Sequence, residues 1–149
     1  LIFIKATAPK PHQTAAVNEQ PLFDPAVARI ISLAPETQFA PNGIVSRTLW
    51  RAPGSRVVLF GFAAGQELSE HTSTQHALIQ VLSGECDFAL KGKWHRLKPG
   101  DLLSMPPHTP HAVRAVTQFS MLLTLLKPSA EPRLPAAERA AESATSAPA

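Results

Sequence analysis

From Val45 onward, apolar residues fall in short runs rich in β-branched and aromatic side chains, cut at regular intervals by Gly, Pro and Ser. Short alternating runs bounded by turn residues are the pattern of an all-β unit. The pattern predicts seven strands, over 45–50, 56–63, 77–82, 85–90, 101–105, 112–116 and 119–126. The turns between them are mostly short, so neighbours should pair antiparallel. Two of the strands are apolar on both faces. In 119–126, Phe119, Met121, Leu123 and Leu125 point one way and Leu122 and Leu126 the other, and 56–63 divides between Val58, Phe60, Phe62 and Val57, Leu59. One face fills a core and the other needs a cover. The terminal arms or a second subunit could supply it, and a homodimer is the expectation.

Upstream, residues 1–24 mix Pro, Ala, Gln and Asn with a short apolar start and read as an arm lying on the body or on a neighbouring subunit. Asp24-Pro25 can cap and begin a short helix, with Val27, Ile30, Ile31 and Ala34 at helical spacing until Pro35 stops it. Residues 30–33 read equally well as a strand. Past Lys127 the composition turns to Pro, Ala, Glu and Ser, with 136–144 a surface helix begun by Pro135. The organisation expected is an arm over 1–39, a single β-barrel domain over 40–127 and a peripheral tail over 128–149.

Composition narrows the classes. At 149 residues, with 44% hydrophobic and 17% charged, the chain can bury one real core. No apolar run approaches the roughly 18 residues that cross a bilayer, and Leu1-Ile2-Phe3-Ile4 is too short for a secretory core, so a cytoplasmic location without membrane contact is expected. The lone Cys86 excludes an internal disulfide framework and a multi-cysteine zinc site, so any metal must be held by nitrogen and oxygen. Alternation sends Cys86 inward with Phe88 and Leu90, where it packs. The formal charge of +3 and the cluster Lys91, Lys93, His95, Arg96 and Lys98 invite a nucleic-acid reading. They surround Gly92 in what reads as a solvated hairpin turn with only Trp94 for an aromatic, and no nucleic-acid partner is expected. The chain has no serine nucleophile elbow, phosphate loop or zinc-protease helix.

The informative stretches are Gly65 to Gly84, containing Ser69-Glu70-His71, and Gly100 to His111, containing Pro106 and Pro110-His111-Ala112. They resemble the two motifs of the cupin superfamily. The first motif reads Gly, five residues, His, any, His, three or four residues, Glu, six residues, Gly. The second reads Gly, five residues, Pro, any, Gly, two residues, His, three residues, Asn. Gly65, His71, Gly84, Gly100, Pro106 and His111 fall in register, and fifteen residues (85–99) separate the motifs, as in small microbial cupins. The resemblance implies a double-stranded β-helix, or jelly-roll, barrel. It also implies a divalent transition metal (Fe, Ni, Zn, Mn or Cu) and reactions of the dioxygenase, isomerase or decarboxylase kind.

The departures bear on function. Ser73 stands where the second ligand His belongs, Ala77 for the Glu, His108 for the Gly and Ala115 for the Asn. Two of the four metal ligands remain, His71 and His111, and two imidazoles alone hold a divalent ion weakly. His76 offers a third nitrogen if its ring swings toward the barrel axis at the start of its strand. Alternation argues the other way, because Ala77, Ile79 and Val81 should face inward. His71 and His111 can instead line a metal-free pocket. The positive φ that the Gly position can require is tolerated by His108. Ser73, Ala77, Phe60, Phe62, Ile79, Met105 and Val113 are the candidate pocket lining. Glu70 and Asp101 read as structural, His12 and His95 as surface groups, and no general acid or base stands out. The expected function is a small barrel that binds a metal in a His-based pocket and binds or acts on a small molecule. A metal-free binding or sensing module is the alternative.

Overall fold

The computed structural model describes residues 20–128, and the readings of residues 1–19, of His12 and of the helix over 136–144 lie outside them. Among the described residues nine strands form two antiparallel sheets: β1 (Ile44–Ala52), β2 (Ser55–Phe62), β3 (Glu67–His71), β4 (His76–Ser83), β5 (Cys86–Leu90), β6 (Lys93–Leu97), β7 (Leu102–Met105), β8 (His111–Ala115) and β9 (Phe119–Leu126). One sheet has the order β1-β2-β9-β4-β7 and the other β3-β8-β5-β6. This is the expected all-β jelly-roll barrel.

All seven predicted strands are present and two more appear. β6 occupies the basic cluster read as a turn; the turn itself is confined to Lys91-Gly92, where both φ angles are positive. β6 is an edge strand whose residues are exposed except for half-buried Leu97, so no apolar alternation marks it in the sequence. Charged edges of this kind discourage pairing with other chains. Its Arg96 bonds Asp87 (2.6 Å) and Glu85 (3.3 Å), and Arg114 bonds Asp87 (3.1 Å) and lies 5.0 Å from the Trp94 ring centre.

The arm differs from both readings. Residues 24–32 form neither the short helix expected from Asp24-Pro25 nor a strand, and the only helix among the described residues is the single turn α1 (Leu33–Glu36). Pro35 lies inside α1 and does not stop it. In the first turn of a helix the N–H that proline lacks has no intrahelical acceptor, so the substitution costs little there. Asp24 makes a local turn instead, its Oδ1 accepting from the Ala26 N–H at 2.9 Å.

The core lies between the sheets. Val58, Phe60 and Phe62 of β2 meet Phe119, Met121 and Leu125 of β9, Ile79 and Val81 of β4, and Cys86 and Phe88 of β5. The outer faces of β2 and β9 receive part of the cover that their sequence demands from residues 22–39. Leu22 and Phe23 donate backbone bonds to Thr48 and Leu49 of β1, and Glu36 of α1 pairs with Arg47. At Gly61 a Cβ would stand 2.1 Å from the Gln38 carbonyl oxygen, so only glycine lets the arm lie this close.

Candidate functional site

His71 and His111 come together, though alternation alone would not bring them. Leu68 of β3 pairs with Val113 of β8 and His71 with His111, three residues of advance on one strand against two on the other. Without that extra residue, buried Leu68 and His71 would face opposite sides. The bulge returns His71 to the inner face. His111 reaches the same face by ordinary alternation with Val113 and Ala115. The two ring centres are 4.2 Å apart with planes inclined by 54°.

Each ring is fixed by the same device. Nδ1 of His71 donates to the Ser69 carbonyl at 2.7 Å, and Nδ1 of His111 donates to the Thr109 carbonyl at 2.8 Å. A carbonyl only accepts, so Nδ1 of each ring carries a proton and Nε2 is the atom left to face a ligand. Phe88 stacks on His111 with ring centres 5.9 Å apart and planes within 6°. Burial pushes the His111 pKa below the usual histidine value, opposed by the Thr109 bond and assisted by the His71 ring beside it. His111 is therefore a neutral acceptor at physiological pH, and half-buried His71 is its solvent-facing companion.

The remaining candidates scatter. His76 is exposed at the first position of β4, where alternation already holds: Ala77, Ile79 and Val81 are buried and His76 faces the other way. The structure does not bring it to the pair. Among the described residues, no three His, Cys, Asp or Glu side chains cluster so as to hold a metal ion. Ser73 is used locally: its Oγ accepts from Gln75 N–H (3.1 Å), and its carbonyl accepts from His108 N–H (2.7 Å), tying the loops of the two motifs together. His108 adopts φ 64°, the left-handed conformation for which its position ordinarily selects glycine. Phe60, Phe62, Ala77, Ile79, Met105 and Val113 all face inward, but they pack on one another in the core. Two grooves, of about 460 and 300 Å³, lie instead against the arm, lined by residues such as Phe23, Leu49 and Leu122 in the first and Phe39, Leu82 and Ser120 in the second. Sequence reasoning passed over Arg56, an inward position on β2 at the histidine end; its alternation with Val58 and Phe60 was the available signal.

A family model described as cupin domain matches residues 58–126. A search of curated proteins finds no match. An RmlC-like cupin protein from Desulfovibrio desulfuricans is 35% identical, with 58% of this chain and 84% of that one covered and a TM-score of 0.53. The chain belongs to the cupin superfamily. A cupin superfamily protein from Desulfitobacterium hafniense (27% identity, 76% and 100% covered, TM-score 0.64) has a similar structure. So does a conserved protein of unknown function from Streptococcus pyogenes (29%, 78% and 98%, TM-score 0.65).

Within this cupin the family metal can be tested against the donors present. A divalent transition ion held by protein alone generally needs three donors. The described residues supply two imidazole nitrogens and no third His, Cys, Asp or Glu beside them. That donor set does not fit a resident metal.

Proposed function

We propose that this cupin binds a small polar molecule at the end of the barrel where His71 and His111 meet, with the two Nε2 atoms accepting hydrogen bonds from it and no resident metal. The observation that carries the reading is the paired anchoring of both Nδ1 atoms to backbone carbonyls. It leaves two fixed acceptors 4.2 Å apart by ring centre, without a third ligand. Such a module stores, delivers or senses its ligand, and needs no general acid.

A metal-dependent reading has one observation in its favour. Metal-ligating histidines commonly donate their other ring N–H to a carbonyl, as both of these do. Elemental analysis of protein purified without a histidine tag, together with native mass spectrometry, separates the two. Substoichiometric transition metal and a co-purifying organic molecule that is absent from His111→Ala support the binding module. A stoichiometric metal lost in His111→Ala overturns it.

The reading includes a homodimer. The outer groove lined by Phe23, Ile31, Leu33, Leu49, Trp50, Val57 and Leu122 is almost wholly apolar, and a second copy would cover it. Light scattering on the purified chain tests this, a monomer at all concentrations being the contrary result. No helix among the described residues is long and apolar enough to cross a membrane.

A further inference from the structure

Arg56 stands at the same end of the barrel as the histidine pair, on the opposite sheet. The placement follows from register: Arg56 pairs with Leu125, Leu125 with Ala77, and Ala77 with Met105. A short loop joins His71 to the start of β4 beside Ala77, and another joins Met105 to His111. The side chain points inward. Val57 lines the outer groove, whereas Arg56 alternates with the core residues Val58 and Phe60. Its Nη2 donates at 3.1 Å to Oγ1 of Thr48, a buried residue cross-strand from Val58.

This guanidinium is undersupplied with acceptors. Nε is buried and has no hydrogen-bond partner, and none of the ion pairs among the described residues includes Arg56. Its cross-strand partner Arg51 is a second cation. Burial first, and Arg51 second, push the Arg56 pKa down. An unmatched buried N–H and two adjacent cations are both relieved by one anion. A carboxylate suits the site best, because its two oxygens match the planar fork of a guanidinium.

We propose that Arg56 anchors a carboxylate of the ligand, which makes that ligand a small hydroxycarboxylate: its carboxylate on Arg56 and its hydroxyl donating to Nε2 of the His71–His111 pair. The inference rests on the small-molecule reading above. Both ends of the ligand are specified by complementary chemistry, since rings whose Nδ1–H is held by a carbonyl present Nε2 as the acceptor and Arg56 offers only donors.

The test is an NMR titration of the isotope-labelled full chain with 2-, 3- and 4-hydroxybutyrate, the matching hydroxyamides, and butyrate. The hydroxybutyrate of suitable length should move the Arg56 Nε–H signal and the ring C–H signals of both histidines along one saturation curve. Its amide, and butyrate, should bind about tenfold more weakly, the loss expected when one charged or hydrogen-bonded contact of about 1.4 kcal/mol is removed. Arg56→Gln should lose the same factor and Arg56→Lys recover part of it. Equal affinity in Arg56→Gln overturns the assignment and leaves Arg56 as a tie to Thr48. Imidazole signals that move while Arg56 stays still overturn it too, with the pocket reading intact. Silence of both sets across all probes overturns this inference and the pocket together. Should Arg56→Gln fail to fold, the titration of the unaltered chain decides.

Discussion

The two ends of the barrel are built on opposite plans. At one end Phe62 and Phe119 stack with ring centres 4.5 Å apart, and Phe62, Phe119 and Cys86 are 1% exposed or less. Gly84 closes that end so tightly that, at φ +68°, a Cβ would stand 2.0 Å from the Gln118 carbonyl oxygen. At the other end the inward positions carry His71, His111 and Arg56. Apolar volume fills the first end; the second, more open because His71 and Arg56 are only half-buried, sets these polar groups beside the buried apolar Ala77, Met105 and Leu125. The contrast teaches that a shared inward face does not mean a shared pocket: Ala77 and Met105 lie at the depth of Arg56 and are core, so the chemistry of the side chain decides together with its place along the barrel.

The largest expected effect lies at the closed end. Phe62→Ala should cost about 3–5 kcal/mol by urea denaturation, because removal of a fully buried aromatic leaves a cavity its neighbours cannot fill. His71→Ala, half-buried at the open end, should cost about 1 kcal/mol or less. Equal costs would erase the distinction between the ends.

Burial also protects the closed end chemically. Cys86 is buried there, and desolvation, with Asp87 a smaller cause, pushes its thiol pKa up to about 12. Thiolate is the reactive form, so the folded protein should react with a thiol reagent at pH 8 at least roughly a hundredfold more slowly than the denatured chain. Rates followed with a chromogenic disulfide check this, and fast labelling of the native state would show that this end opens.

The barrel was legible in the sequence because seven strands advertise alternating apolar residues. β3 was not, since Glu67 to His71 is mostly polar and carries a bulge, and β6 was not, since an exposed edge strand has no inner face to mark. The family motif located His71 and His111, but the reason they meet was hidden. Alternation from Leu68 would turn His71 outward, and only the pairing with β8 reveals the extra residue. Alternation also selected Phe60, Phe62, Ile79 and Val113 as pocket lining; it gives the direction of a side chain and says nothing about whether neighbouring volume leaves space in front of it. Arg56 was passed over because a charged residue beside a hairpin turn ordinarily faces water. Its buried Nε is a tertiary fact.

At the open end a pH effect of intermediate size is expected. The folded-state pKa of His111 lies below its ordinary 6.5, so the folded chain binds fewer protons there than the unfolded one. Stability from this group is therefore complete above pH 6.5 and is lost as pH falls through the depressed value, at up to about 1.4 kcal/mol per pH unit. Asp87 and Asp101 have their carboxyl pKa values held low by Arg96 and Lys98 and act only in more acidic solution. Denaturation curves between pH 7.5 and about pH 5 should show the decline in the wild type, and His111→Gln should flatten it. An unchanged slope in the variant would mean that His111 is as easily protonated as a surface histidine.

The smallest effect is the most informative about the third nitrogen. His76 is exposed and its strand alternates from the first residue, so the ring cannot join the pair unless the start of β4 turns over. Turning it over would pull Ala77 out of the core. His76→Ala should therefore change stability by less than about 0.5 kcal/mol, as surface substitutions do. Nickel titrations followed by calorimetry should give the same weak affinity for the wild type and His76→Ala, and none for His111→Ala. A loss of nickel affinity in His76→Ala comparable with that in His111→Ala would mean that the start of β4 rearranges to complete a three-imidazole site. The open end would then be a metal centre assembled on demand rather than a pair of fixed acceptors.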